Sequence, residues 1–132
     1  MFQRCRKLKY VMLPDSLETI EEFCFQKSGL TELIIPNSVK KIGQYALSIC
    51  PDLKKVVLPK DLETIPENCF WQSGLEEIKI PKSVKIIEKS AFQECKSLMR
   101  ITLPEGLEVI PEWCFTESGL EEILVPESVK TI

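Results

Sequence analysis

The chain has 132 residues, a formal net charge of −3 and a hydrophobic share of 44%, which indicates one domain with enough apolar side chains for a buried core. The acidic balance argues against nucleic acid or an anionic membrane surface as the main partner. No apolar run approaches the ~20 residues needed to span a bilayer, so we expect no membrane insertion.

The N-terminus, from Met1 to Lys7, lacks the apolar segment of a signal peptide and already lies within a repeat. We therefore expect either a protein that is not exported or a piece of a longer chain. Neither end carries a polar cap, so both would expose apolar faces and open strand edges. A fragment of a longer repeat array is the favoured interpretation, and end-to-end stacking on another copy is the alternative.

Proline recurs every 22 or 23 residues and divides the chain into units that share seven apolar columns. Leucine or valine follows each proline after three residues, and isoleucine follows it after six. A fixed period with columns of this kind is typical of a solenoid, in which each repeat forms one coil. The isoleucines that should form one inner seam are Ile20, Ile42, Ile65, Ile87, Ile110 and Ile132.

These columns predict a single solenoid over residues 1–132. A partial coil at 1–13 precedes five coils at 14–35, 36–58, 59–80, 81–103 and 104–125, and a partial coil at 126–132 follows them.

Each coil contains two kinds of segment. Before each proline, inward and outward residues alternate, as in Leu33-Ile34-Ile35, which predicts one β-strand per coil and a parallel sheet across the stack. Residues 21–27 lack this alternation and predict a short helix or 3₁₀ turn on the opposite side, ended by Gly29 and its equivalents Gly74 and Gly119. A second short strand is expected at 38–42. The fold class is therefore an α/β repeat solenoid.

The outward residue of each strand provides the candidate protein-binding site. Met12, Ile34 and Val57 should form a contiguous apolar strip with Tyr10 beside it, and exposed apolar patches usually mark a contact surface. The alternative is that half-exposed β-branched residues merely favour strands. The whole candidate set on this face is Tyr10, Met12, Ile34, Val57, Lys79, Thr102 and Leu124.

The two tryptophans lie on the side opposite the sheet. Trp71 occupies an otherwise polar column, which predicts an exposed side chain, whereas Trp113 occupies a mixed column and is expected to be half-buried. Exposed tryptophan is enriched at interaction hot spots, so Trp71 joins the candidate protein-binding residues. Drift within a repeat is the alternative explanation for Trp71.

The six cysteines fall into two columns with a 45-residue spacing. Two coils separate neighbours within a column by ~10 Å, whereas a disulfide needs Cα atoms within about 7 Å. Pairs across columns, such as Cys5 and Cys24, are offset along the coil and have marginal geometry. The chain has no Cys-x-x-Cys motif and no histidine, so a zinc site is unsupported. We predict six free, buried structural thiols and no metal or other cofactor.

Two surface columns carry charges whose sign alternates from coil to coil. Such columns form a ladder of paired charges that determines which coil stacks on which, at tenths of a kcal/mol per pair. A binding surface is the alternative, although paired charges leave little field for a ligand. The first column is Glu18, Lys40, Glu63, Lys85, Glu108 and Lys130, and the second is Glu32, Lys55, Glu77, Arg100 and Glu122.

The sequence offers little for catalysis. It contains no histidine, no glycine-rich phosphate loop and no nucleophile elbow. Its carboxylates recur in surface columns and do not converge on one place. We therefore predict no enzymatic activity and no catalytic residues.

The pattern from Ile87 to Pro104, Ile-x-x-x-Ala-Phe-x-x-Cys-x-x-Leu-x-x-Ile-x-Leu-Pro, resembles the BspA-type leucine-rich repeat. Residues 38–46 are similar to the Ser-Val-x-x-Ile-Gly-x-x-Ala stretch of that family. The resemblance extends over essentially all 132 residues, so we expect a right-handed leucine-rich-repeat coil. It implies a curved solenoid that binds proteins, commonly in bacterial and protozoan surface adhesins, without fixed catalytic residues.

The resulting functional hypothesis is a protein-interaction module that binds a host or matrix protein through the exposed face of the sheet. The resemblance implies a cell-surface or secreted location. A structural spacer is one alternative and an intracellular adaptor is another, since free thiols are compatible with the cytoplasm.

Overall fold

The computed structural model describes residues 1–132 and contains eight short β-strands and no helix. The strands are β1 Thr19–Ile20, β2 Glu32–Ile34, β3 Lys41–Ile42, β4 Lys55–Val57, β5 Thr64–Ile65, β6 Glu77–Lys79, β7 Ile86–Ile87 and β8 Arg100–Thr102. Every strand pair is parallel. Because Thr19 aligns with Lys41 and Glu32 aligns with Lys55, the chain returns to the same position after 22 or 23 residues. A repeat fold with parallel strands is therefore confirmed.

The strands pair two coils at a time. Strand β1 pairs with β3 and β2 pairs with β4, and the same arrangement recurs for β5 with β7 and β6 with β8. No ladder joins β3 to β5 or β4 to β6. The strand ladders therefore alternate with a period of two coils, the same period as the 45-residue spacing of the cysteine columns, while backbone bonds such as Leu47 to Cys69 at 3.0 Å join one pair of coils to the next.

The apolar columns meet in one core that runs the length of the stack. Isoleucines 20, 42, 65, 87 and 110 form the predicted inner seam and are all buried, whereas Ile132 is 86% exposed because no coil lies on its outer side. Phenylalanine rings stack along a second column, with the centroids of Phe70 and Phe92 5.2 Å apart. Full burial of such a side chain contributes about 1.5–3 kcal/mol.

The helix or 3₁₀ turn predicted over residues 21–27 does not form. The amide of Cys24 donates to the carbonyl of Glu21 at 3.3 Å, and the amide of Gln26 donates to the carbonyl of Phe23 at 3.1 Å, so consecutive β-turns fill this segment. Phe23 and Lys27 have φ values of 56° and 58°, a left-handed conformation that neither helix type contains.

Hydrogen bonds between coils explain why turns replace the helix. The amides of Phe23 and Phe25 donate to the carbonyls of Gln44 and Ala46 in the next coil, at 3.1 and 2.8 Å. An amide that bonds to the neighbouring coil is not available for a bond within a helix. Stacking of the coils therefore favours turns in which every second amide points toward the next coil, parallel to the axis of the solenoid.

The glycines predicted to end helices have another role. No glycine of the chain has a positive φ, so Gly29, Gly74 and Gly119 are not left-handed caps. A Cβ atom at Gly74 would overlap the carbonyl oxygen of Pro51, and the other two glycines face a carbonyl oxygen of the preceding coil in the same way. Glycine is required because two backbones approach closely.

Candidate protein-binding face

Two exposed apolar side chains lie side by side on the first sheet. Ile34 ends β2 and Val57 ends β4, and their Cα atoms are partners in the parallel register. Their neighbours Leu33 and Val56 point into the core, so strand alternation turns Ile34 and Val57 outward. Ile34 is 67% exposed and Val57 is 43% exposed, which leaves an apolar pair open to solvent.

Lys79 and Thr102 form the equivalent pair on the second sheet, where they are Cα partners between β6 and β8. Both side chains are exposed. A recess of about 580 Å³ lies between β4 and β6, where the strand ladder is interrupted, and Val57, Lys79 and Thr102 all contribute to its lining. The structure therefore brings these three predicted residues together around one recess.

The charge around this recess is strongly positive. Its lining includes Lys55, Lys60, Lys79 and Arg100 against a single carboxylate, Glu77. Glu77 is paired with Arg100 at 3.4 Å. The three lysines form no ion pair within 4.0 Å, so the recess keeps a net positive field.

Three other predicted residues lie at the margins of the face. Tyr10 and Met12 are exposed, the latter by 98%, but residues 1–13 contain no strand. Leu124 is also exposed and lies outside any strand, at the opposite end of the stack. The centre of the candidate face is therefore formed by Ile34, Val57 and the adjoining recess.

The predicted exposure of the two tryptophans is wrong for both, because Trp71 is half-buried and Trp113 is exposed. Trp71 lies on the turn side, as expected, but it is half-buried because its Nε1 donates to Glu94 Oε1 at 3.2 Å and its ring meets Tyr45 edge-on. Trp113 is 54% exposed. Asn68 and Ser90 have the same left-handed φ as Trp113 and are buried, so Trp113 is exposed because no turn segment stacks on its outer side. Trp71 is thus remote from the candidate face.

The predicted charge ladder forms only in part. Lys130 pairs with Glu108 at 3.3 Å in the first column, and Arg100 pairs with Glu77 in the second. Lys40 instead approaches Asp61, which lies in a different column, at 3.9 Å. Sequence reasoning assigned Lys55 and Arg100 to this ladder and so missed their position at the recess. The alternation of charge sign was the one sequence signal at these two positions, and it indicates an ion-pair ladder and not a recess.

None of the six cysteines is in a disulfide, and four of them are buried as predicted, whereas Cys5 is exposed and Cys24 is half-buried. These two lie near the N-terminal end of the stack, where fewer coils cover them. The Cys95 thiol donates to the carbonyl of Phe70 at 3.0 Å, and burial raises its pKa to about 11. A buried thiol that stays protonated is a poor nucleophile and a poor metal ligand.

A larger open cavity of about 1050 Å³ lies along the second series of strands, beside β3 and β5. Its lining contains five carboxylates and two lysines, and Lys40 and Asp61 already face each other across it. Only three of its fifteen lining residues are hydrophobic. We place the candidate site at the smaller recess because it adjoins the exposed apolar pair of Ile34 and Val57.

Residues 1–99 and 63–132 match the family model described as the BspA type leucine rich repeat region, in six copies. No curated protein sequence is significantly similar to this chain. Since the structure has no helix, it also has none with the length and apolarity that a membrane crossing requires.

Several solved bacterial structures share the fold. A leucine-rich repeat protein from Bacteroides ovatus is 28% identical, with a TM-score of 0.83 over 97% of this chain and 40% of its own. A leucine rich cell surface protein from Faecalibacterium prausnitzii is 27% identical, with a TM-score of 0.76 over 90% of this chain and 30% of its own. The pneumococcal vaccine antigen PcpA is 26% identical, with a TM-score of 0.55 over 88% and 44% of the two chains. The chain thus spans less than half of each of these relatives.

Proposed function

Because the chain belongs to the BspA-type leucine-rich-repeat family, we propose that it is a non-catalytic protein-binding module that binds its partner through the exposed face of the strands. The observation that carries this proposal is the apolar pair of Ile34 and Val57, exposed side by side on paired strands. A soluble protein gains little stability from such side chains, whereas a partner that covers them removes apolar surface from water.

The charge beside this pair defines the partner further. The recess next to Val57 has lysines on both of its flanks, with Lys55 on β4 and Lys79 on β6. Complementarity favours a partner that presents an apolar side chain next to carboxylates. The positive charge increases the rate of encounter, and the apolar contact supplies most of the affinity.

A location at the cell surface or in the secreted fraction fits two of the similar structures. The Faecalibacterium protein is described as a cell surface protein and the pneumococcal protein as a vaccine antigen. We propose the same location for this chain, with a host or matrix protein as the partner. A spacer without a ligand is the second candidate, and it is favoured by ion pairs that join neighbouring coils, such as Lys54 with Glu76 at 2.6 Å.

A pair of substitutions on the face tests the proposal. The immobilised chain is used to capture proteins from a matrix extract, and each captured protein is then purified and its Kd measured for the wild type and for the Ile34→Lys/Val57→Lys variant. We expect the double variant to weaken the Kd at least tenfold, because two charges enter the contact.

The matched control is Ile86→Lys, which places a lysine at an exposed apolar strand residue away from the proposed face. This control should retain the wild-type Kd. Equal binding by all three proteins would contradict the sheet-face site, and the absence of any specific partner would favour the spacer.

A further inference from the structure

A second recess interrupts a column of large side chains on the turn side of the stack. Residues in this column all have left-handed φ values of 55–57° and occur once per coil, as Phe23, Tyr45, Asn68, Ser90 and Trp113. Aromatic rings occupy the column except at Asn68 and Ser90. At about 4.8 Å per coil, Tyr45 and Trp113 are therefore separated by ~14 Å, with two small polar residues between them.

Three aromatic side chains and seven polar ones line this recess, and two of the aromatic side chains are in contact. The Nε1 of Trp71 donates to Glu94 at 3.2 Å, and the ring of Trp71 meets the Tyr45 ring edge-on at 6.4 Å and 83°. Trp113 extends into solvent at the other end. The recess has a volume of about 430 Å³, which lies within the range of small-ligand sites.

The polar groups leave one carboxylate of the recess without an ion pair. Lys89 pairs with Glu67 at 3.5 Å, and Asn68 donates to the same carboxylate at 3.2 Å, so these charges balance each other. Glu94 has no cationic partner within 4.0 Å.

The Glu94 carboxylate is held in place and ionised. Its oxygens accept hydrogen bonds from Gln72 Nε2 at 2.7 Å and from Trp71 Nε1. These two bonds lower the pKa of the Glu94 carboxyl. A carboxylate has about four acceptor positions, so both oxygens can accept further bonds from a ligand.

We infer that this recess binds the side chain of an arginine presented by a protein partner, at a site separate from the strand face. A guanidinium is planar, stacks on aromatic faces and donates in a fixed fork to a carboxylate. Trp113 supplies an exposed aromatic ring, Trp71 lines the recess and holds the carboxylate, and Glu94 supplies the acceptor. A lysine ammonium offers no flat face to stack, and a neutral sugar leaves the Glu94 charge uncompensated.

Intrinsic fluorescence reports directly on this site, because the chain has two tryptophans and both line the recess. The probe is the tripeptide acetyl-Gly-Arg-Gly-amide, titrated into the full chain at constant ionic strength. The citrulline analogue has nearly the same shape but no charge, and the lysine analogue keeps the positive charge but lacks the planar guanidinium group. Glucose tests whether the recess is a sugar site. We expect saturable fluorescence change with the arginine peptide and at least tenfold weaker binding of all three comparison ligands.

Three variants complete the test. Glu94→Gln keeps an oxygen that can accept from Trp71 but removes the charge, and it should weaken arginine binding about tenfold. Trp113→Leu alters an exposed side chain and should weaken binding at least as much, with Trp71 as the remaining reporter. Ile34→Lys on the strand face should leave arginine binding unchanged, which separates this site from the one proposed above.

Four outcomes would each overturn the inference. They are an absence of saturable change with the arginine peptide, equal affinity for the citrulline peptide, tighter binding of glucose, and unchanged affinity in Glu94→Gln with a wild-type unfolding temperature.

Discussion

Gly74 lies against Pro51 of the preceding coil so closely that a Cβ atom would overlap the carbonyl oxygen of Pro51. The amide of Gly74 also donates to the carbonyl of Cys50 at 2.9 Å. The same contact recurs 45 residues earlier at Gly29 and 45 residues later at Gly119. Close backbone approach therefore recurs at every second contact between neighbouring coils, where the strand ladder is interrupted, and it explains why glycine occupies this position in every second coil.

Gly74→Ala is expected to lower the free energy of unfolding by about 1–3 kcal/mol, because the added methyl group must displace backbone atoms. Urea-induced unfolding measures the change. Gly106→Ala is the matched control, since no atom lies within 4 Å of its Cβ position. The control should be neutral or stabilise the protein by about 0.4–1 kcal/mol. Equal stability of the two variants would show that the stack absorbs the methyl group without strain.

The period, the inner columns and the outward direction of Ile34 could be predicted because they depend only on recurrence and alternation. An isoleucine six residues after each proline needs no knowledge of local conformation to be placed in a seam. Strand alternation likewise turns Ile34 away from the core once Leu33 is assigned inward. Each of these features is therefore visible in a single sequence.

The conformation of the turns could not be predicted in the same way. Phe23, Tyr45 and Trp113 have left-handed φ values, although bulky residues usually avoid that region. Hydrogen bonds to the next coil compensate the local cost, and these bonds depend on the stack as a whole. The environments of the two tryptophans likewise depend on neighbouring coils, since Glu94 of the next coil accepts a hydrogen bond from Trp71 and no turn segment covers Trp113.

The recess beside Val57 was missed for an electrostatic reason. Alternating signs along one column suggested that every charge has a partner in the next coil. In the second column only Arg100 pairs with its predicted partner, Glu77, while Lys55 is left without an ion pair because long exposed side chains gain little from pairing. The strand ladder also breaks between β4 and β6, and sequence columns contain no sign of that break.

Leu33 and Ile34 are adjacent, but truncation to alanine should destabilise the protein strongly at Leu33 and hardly at all at Ile34. Leu33→Ala removes a fully buried side chain and is expected to cost about 2–5 kcal/mol of unfolding free energy. Ile34→Ala removes an exposed side chain and should change the free energy by no more than about 0.5 kcal/mol. Urea unfolding measures both. A large loss in Ile34→Ala would mean that Ile34 is kept for folding and would weaken its assignment to binding.

Two half-buried serines in one column provide a test of what a hydroxyl hydrogen bond contributes to stability. Ser83 Oγ lies 2.8 Å from the carbonyl oxygen of Lys60 and 2.7 Å from that of Leu62. Ser38 Oγ is buried without any partner. Ser83→Ala should lower the free energy of unfolding by about 0.5–1.5 kcal/mol, and Ser38→Ala should leave it unchanged or raise it by about 1 kcal/mol.

Thermal and urea unfolding of the two serine variants measure this contrast. The substitutions are chemically identical, so a difference between them isolates the hydrogen bond from the loss of hydroxyl volume. Equal destabilisation of Ser38→Ala and Ser83→Ala would indicate that the Ser38 hydroxyl is bonded in solution.

The Cys69 thiol should make the protein less stable in alkaline solution. Cys69 lies in a buried column in which cysteine alternates with alanine, between Ala46 and Ala91. Burial raises the pKa of its thiol above the usual value near 9. In the unfolded chain the thiol ionises as the pH passes about 9, whereas the folded chain keeps its proton. The folded state then binds more protons, so the free energy of unfolding falls as the pH rises, by up to about 1.4 kcal/mol per pH unit for this thiol.

Cys69→Ala tests this dependence, because alanine already occupies the same column in neighbouring coils. Urea unfolding of both proteins is measured between pH 7 and about pH 10.5, where the extra slope of the wild type should develop. Below pH 8 the thiol is protonated in both states, so the two curves should run parallel there, with Cys69→Ala lower by the cost of the lost side-chain volume. Above pH 9 the curves should converge. Curves that stay parallel throughout would show that Cys69 ionises as easily in the folded stack as in the unfolded chain.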